Sequence, residues 1–158
     1  MKKLLVALVL IAALVVPAQA SKFCMWTLAS ADNITARAGY ALDENIEAGV
    51  ESSWRTDSGK PGQIWGIYGV YKSPDMIDFD KIFTNDWIPS LKGTPYVGAS
   101  MSVDFANTDD KRSIAGPLAG IILQDILVVE YFYQFPRDDL GGLLEEGYTL
   151  RIGLHLEF

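Results

Sequence analysis

The sequence predicts an all-β fold: an eight-stranded antiparallel up-and-down transmembrane β-barrel, with its apolar face turned outward. Three observations predict it. The chain opens with a secretory leader, its later segments alternate apolar and polar residues with period two, and it ends on such a strand at an aromatic residue. With 158 residues the chain has room for one domain.

The leader is residues 1–20. Lys2 and Lys3 precede an apolar run from Leu4 to Val16, and Pro17 and Ala18-Gln19-Ala20 supply a small-residue cleavage site before Ser21. The run is shorter than the roughly 20 residues that a helix needs to cross hydrocarbon, so cleavage is expected rather than a retained anchor. Residues 21–158 are then the outer-membrane barrel domain. Lys22 and Phe23 before Cys24 do not make a lipidation box.

The first hairpin follows. Ile34, Ala36, Ala38, Tyr40 and Leu42 share one face, opposite Asn33, Thr35, Arg37 and Gly39. After a short Asp43-Glu44 turn, Ile46, Ala48, Val50 and Trp54 oppose Glu47, Gly49, Glu51 and Arg55. Further strands are expected at 63–72, 96–105, about 113–122 and 126–135, separated by turn-rich stretches such as Asn107 to Lys111. Two of these alternate less cleanly. In 63–72, Trp65 and Ile67 lie opposite Ile64 and Tyr68, and 113–122 is apolar on both faces, with Pro117 marking a bulge or a weakly bonded position. The last strand alternates most clearly: Tyr148, Leu150, Ile152, Leu154, Leu156 and Phe158 against Thr149, Arg151, Gly153, His155 and Glu157.

That makes seven strands. Residues 76–88 fit both a helical stripe and a strand through Phe79, Phe83 and Trp87. The strand reading is favoured as the eighth, because a long connection without a strand is uncommon between neighbours. If 76–88 is a helix, residues 22–30 must supply the eighth strand.

An alternating sheet can close with its apolar face inside, as a soluble barrel, or outside, against lipid. Aromatics cluster near strand ends on the apolar faces, at Tyr40, Trp54, Phe105, Phe135 and Tyr148, as in the girdles at two membrane surfaces. The polar faces carry both signs of charge. Arg37, Arg55 and Arg151 stand with Glu47, Glu51, Asp104, Glu130, His155 and Glu157 as a lumenal network that fills a narrow interior. An ordinary solvated face is the alternative reading of those charges.

The terminal run Arg151-Ile152-Gly153-Leu154-His155-Leu156-Glu157-Phe158 resembles the C-terminal assembly signal of outer-membrane barrels, carried here by Arg151, Gly153, Leu156 and Phe158. Pro95-Tyr96-Val97-Gly98-Ala99 is similar to a strand opening in the small outer-membrane barrels of the opacity, OmpA-like and OmpW-like groups. The resemblance implies outer-membrane lipid as surroundings and the barrel-assembly machinery as a partner during biogenesis.

Other functions are constrained by composition. Removal of residues 1–20 takes away two of 13 basic residues and none of 20 acidic ones, leaving a net charge of −9, which disfavours nucleic acid. One cysteine and one histidine are too few for a Cys/His metal site, no cofactor is expected, and Cys24 reads as an unpaired residue at the N-terminal end. A lipid-modifying enzyme would need His155 with a serine such as Ser52, Ser53, Ser100 or Ser102, and no spacing selects one. The expectation is therefore no enzyme: a structural or surface-interaction barrel, with a narrow pore as the alternative and a lipid-modifying enzyme as the further one. The segment 136–146, with Leu140, Leu143 and Leu144, is expected to face the cell exterior as a solvated loop or a contact surface; no motif names a ligand.

Overall fold

The computed structural model describes residues 22–31, 33–55, 63–81, 91–104, 113–135 and 147–158. Its strands are β1 (Lys22–Ala29), β2 (Asn33–Ala41), β3 (Ile46–Arg55), β4 (Gln63–Lys72), β5 (Ile77–Asp78), β6 (Lys92–Asp104), β7 (Ser113–Leu123), β8 (Leu127–Gln134) and β9 (Gly147–Glu157). Each long strand pairs antiparallel with its neighbour in sequence. Two further ladders, β1 with β9 and β4 with β6, close the eight long strands into a barrel. Phe23 and Phe158 exchange both backbone hydrogen bonds, so the two ends of the described chain seal the same seam.

The outer face is apolar and the inner face carries the charge. Along β9, Ile152 is 51% exposed while Arg151 beside it is 9% exposed, and the same alternation separates Val50 from Glu51 and Tyr131 from Glu130. A strand places successive side chains on opposite faces, so the period-two pattern of the sequence becomes this inside-out polarity. Aromatic side chains gather at both rims. Phe23 meets Tyr40 and Phe158 at one, with centroids 5.5 and 6.4 Å apart, and Tyr148 stacks near Tyr131 and Tyr133 at the other, at 5.2 and 4.9 Å. No described helix is long and apolar enough to cross a membrane.

The eighth barrel strand is not 76–88. Only Ile77–Asp78 pair as a strand, followed by a 3₁₀ turn at Phe79–Lys81; residues 82–88 lie outside the described residues. β1 supplies the eighth strand instead. The reason lies in the ladder: β4 ends against β6 at Lys72–Tyr96, and the two-residue β5 takes up the edge of β6 only at Lys92 and Gly93, beyond the closed part of the barrel. Cys24 is accordingly not a loose terminal residue but a fully buried member of β1.

The two-sided apolarity of β4 and β7 also finds its cause. Trp26, Leu28, Tyr68, Val70, Tyr96, Leu118, Ile122, Val128 and Phe132 form an apolar cluster inside the barrel, so the interior is part hydrophobic core and part ion-pair network. Pro117, which has no N–H to give, faces outward where the β7–β8 ladder stops at Leu118–Phe132; one further bond, from the Phe135 N–H to the Ala115 carbonyl at 3.0 Å, holds the strands beyond it.

Candidate functional site

The charged interior is built by β1, β2, β3, β4, β6, β8 and β9 and divides into two linked clusters. The first centres on Arg37, whose side chain is fully buried. Its guanidinium donates to both Glu130 oxygens, at 2.5 and 3.1 Å, and its Nε to Glu51 Oε2 at 3.1 Å. Arg151 reaches Glu130 Oε1 at 3.1 Å, and Tyr96 donates to Glu130 Oε2 at 3.0 Å. Ser100 and Ser102 both donate to Glu51 Oε1, at 2.7 and 2.6 Å. The cations also lie against rings: Arg151 is 4.4 Å from the Phe132 centroid, and Arg37 is 5.1 Å from that of Tyr68. Such contacts replace part of the hydration that burial removes.

The second cluster centres on Glu47. Its Oε1 accepts from the Trp26 indole N–H and from the Tyr68 hydroxyl, the latter at 2.6 Å, while Oε2 faces His155 Nε2 at 3.2 Å and Lys72 Nζ at 3.8 Å. Lys72 continues to Glu157 at 2.6 Å, and Glu157 to Lys22 at 3.0 Å at the mouth of the barrel. Gly39 makes this reach across β2 feasible. A Cβ there would come within 2.6 Å of the Tyr68 hydroxyl and closer still to the Ala48 carbonyl, so only the bare backbone leaves room for that hydroxyl to reach Glu47.

Among the described buried side chains Arg37, Lys72 and Arg151 stand against Glu47, Glu51 and Glu130, so cations and carboxylates are equal in number. An unpaired charge in such an interior costs several kcal/mol, on the order of the stability of a small domain. The balance therefore bears on whether the barrel folds, before any question of activity.

Of the residues singled out in the sequence, Arg37, Glu47, Glu51, Glu130, Arg151, His155 and Glu157 are brought together in the interior. The side chains of Arg55 and Asp104 lie outside the described residues, as do Phe105 and the segment 136–146. Tyr40 and Trp54 are part-buried on the outer face, and Phe135, Tyr148 and Phe158 are exposed there. Sequence reading missed Trp26, Tyr68, Lys72 and Tyr96 as network members. Lys72 and Tyr68 share the even face of β4, but Ile64 and Val70 on that face disguise it as apolar; Trp26 lies on a strand whose two faces are both largely apolar.

Three of the four serines weighed as nucleophiles, Ser53, Ser100 and Ser102, are engaged by groups other than His155. Ser100 and Ser102 serve Glu51, Ser53 pairs with Thr35 at 2.8 Å, and the recorded ionic partners of His155 are Glu47 and Glu157.

The described residues line cavities at both ends of the barrel. One of about 620 Å³ opens at the mouth holding the described ends of the chain and is lined by Lys72, Asp125, His155 and Glu157, among others. A smaller one of about 60 Å³ is lined by Glu51, Ser102, Phe132 and Arg151. They share no lining residue, and the Arg37–Glu130 pair, Trp26 and Tyr96 line neither.

No family model matches the chain, and no curated protein matches it. Among solved structures it is similar to the N-terminal β-barrel domain of Pseudomonas aeruginosa OprF, at 14% identity and a TM-score of 0.49, over 87% of this chain and 96% of that one. The barrel assignment stands on the closed ladders of the chain itself.

Proposed function

We propose that the protein is an integral outer-membrane β-barrel with a structural or surface-interaction role, and that its interior is a filled, non-conducting plug rather than a pore. The observation that carries this reading is the inverted polarity of a closed barrel: apolar side chains such as Val97, Leu150 and Ile152 stand outward and exposed, while Arg37, Glu47 and Glu130 are buried within. In water that outer face would be one continuous apolar surface, which a soluble monomer does not tolerate. In a bilayer it is the favourable arrangement, because closure satisfies every backbone hydrogen bond at a depth where lipid offers none.

Outer-membrane delivery is supported by the leader at 1–20 and by the terminal Arg151, Gly153, Leu156 and Phe158, which the assembly machinery would read on the exposed edge of β9 before β1 closes on it. Contact with partners outside the cell would fall to the rim opposite the described chain ends, where β3, β6 and β8 end and β4, β7 and β9 begin. A non-enzymatic role is supported by the engagement of Ser100 and Ser102 with Glu51 and of His155 with Glu47.

The experiment is fractionation of cells making the full chain, followed by gel migration with and without boiling. Recovery with outer membranes and a heat-dependent shift is the expected result. Recovery as a soluble periplasmic protein with no shift would overturn the proposal.

A further inference from the structure

Closure of the barrel brings the single cysteine and the single histidine of the chain to one place. Cys24 on β1 and His155 on β9 stand at positions 131 residues apart in sequence, yet Cys24 pairs with Glu157 and Trp26 with His155 across the closing ladder. Glu47 comes from β3, where its Oε1 accepts from Trp26 on β1 and Tyr68 on β4. One ligand atom from each, the Cys24 thiol, a His155 ring nitrogen and a Glu47 carboxylate oxygen, lies within 4.8 Å of the other two, and all three residues are buried. A reading that counts only cysteines and histidines stops at two ligands; the carboxylate makes the third.

We propose that Cys24, His155 and Glu47 form a binding site for one divalent transition-metal ion, with Zn²⁺ the best match to this set. A thiolate, an imidazole and a carboxylate are all ordinary zinc ligands, and three protein ligands with an open fourth position is a recognised arrangement. Ligand atoms around a tetrahedral zinc stand roughly 3.3–3.8 Å apart, given bonds of about 2.0–2.3 Å. His155 Nε2 and Glu47 Oε2 are already at 3.2 Å, so the adjustment falls mainly on the sulfur.

The surrounding bonds favour the site. Trp26 and Tyr68 occupy Oε1 of Glu47, fixing the carboxylate and leaving Oε2 for the ion. That is the role of an outer hydrogen-bonding shell. The cavity of about 620 Å³ at the chain-end mouth reaches His155 and gives an ion and a water ligand their entry. On binding, the Cys24 thiol releases its proton to that mouth and a sulfur–metal bond forms; His155 gives up its contact with Oε2, the Nε2 proton passes to Nδ1 by way of water at the mouth, and the freed Nε2 lone pair takes the ion with the ring still neutral. The net gain is one positive charge. Lys72 and Tyr68 on β4 and Glu157 on β9 face the cluster, and Lys72 retains Glu157 as its counter-charge at 2.6 Å.

The test uses the full chain recovered in detergent, stripped with chelator and titrated with Co²⁺ and Zn²⁺. Because the chain has one cysteine, a sulfur-to-cobalt charge-transfer band assigns the ligand without any variant. The expected result is one Co²⁺ per chain with that band, displacement by Zn²⁺, and weaker binding on acidification. Cys24→Ser should abolish the band. Tyr68→Phe, which keeps all three ligands, should weaken Zn²⁺ binding about tenfold or more. Where Cys24→Ser fails to give a heat-shifted barrel, the spectrum of the unaltered chain decides. Absence of the thiolate band at saturating Co²⁺, or Zn²⁺ binding unchanged in a folded Cys24→Ser chain, would overturn the site.

Discussion

At the scale of the residue, the interior is governed by which charges can be left alone, and none can. Glu130 takes hydrogen bonds from Arg37, Arg151 and Tyr96, and Glu51 takes them from Arg37, Ser100 and Ser102. Arg37→Ala would leave two buried carboxylates short of their shared cation, and the expected loss is about 3–5 kcal/mol. Chemical unfolding of the folded barrel in lipid vesicles, followed by gel mobility, measures it; a change near zero would mean that water reaches the network. Most of these charges were legible from their alternation with apolar neighbours. Cys24, Trp26 and Lys72 were not, because what gives each its role is a partner on a strand far away in sequence: Glu47 for Trp26 and Glu157 for Lys72.

The element scale separates a lipid-facing strand from a solvated one. Ile152 sits in the middle of β9 on the outer face. Ile152→Arg should destabilise the barrel in a bilayer by about 2–4 kcal/mol. The same change on a water-exposed strand would be nearly neutral, so equilibrium unfolding of this variant distinguishes the two. The β7–β8 connection offers a second prediction. Gln124 and Asp125 have φ of 51° and 62°, and the Ile126 N–H bonds the Leu123 carbonyl at 3.1 Å, so the three-residue connection contains a β-turn with both central residues left-handed. Replacing the pair by Asn-Gly should raise stability by up to about 1 kcal/mol, read as a shift in the unfolding midpoint. The clean alternation of β2, β3 and β9 made these strands readable. β1 and β7 were harder, since an interior that is partly hydrophobic removes the polar half of the pattern, and 76–88 satisfied two periodicities until strand pairing chose between them.

For the whole molecule, closure is the organising event. β1 and β9 are the barrel strands farthest apart in sequence, and the Glu47 cluster and the mouth cavity both take residues from each of them. Pairing at such sequence separation is intrinsically slow, and assembly at a membrane-bound catalyst would suit it. The filled interior leads to a further expectation: reconstituted in a planar bilayer, the protein should give no stepwise conductance, because the cavities at the two ends share no lining residue and the buried Arg37–Glu130 pair, Trp26 and Tyr96 line neither. Regular channel openings would contradict the plug. Seven of the eight barrel strands and their outward polarity could be anticipated from period-two segments, with β1 only the fallback for the eighth; the split between an ionic half and an apolar half of the lumen could not, because it depends on which inward faces meet across the barrel.

The central claim is that the apolar face of this barrel meets lipid. It is tested most directly by nitroxide labels placed singly along β9 in vesicles, in a Cys24→Ala background. Labels at Leu150, Ile152 and Leu154 should be open to lipid-soluble oxygen, and labels at Thr149, Arg151 and His155 should be shielded from it. Uniform accessibility, or shielding of the even positions and exposure of the odd ones to water, would contradict the account.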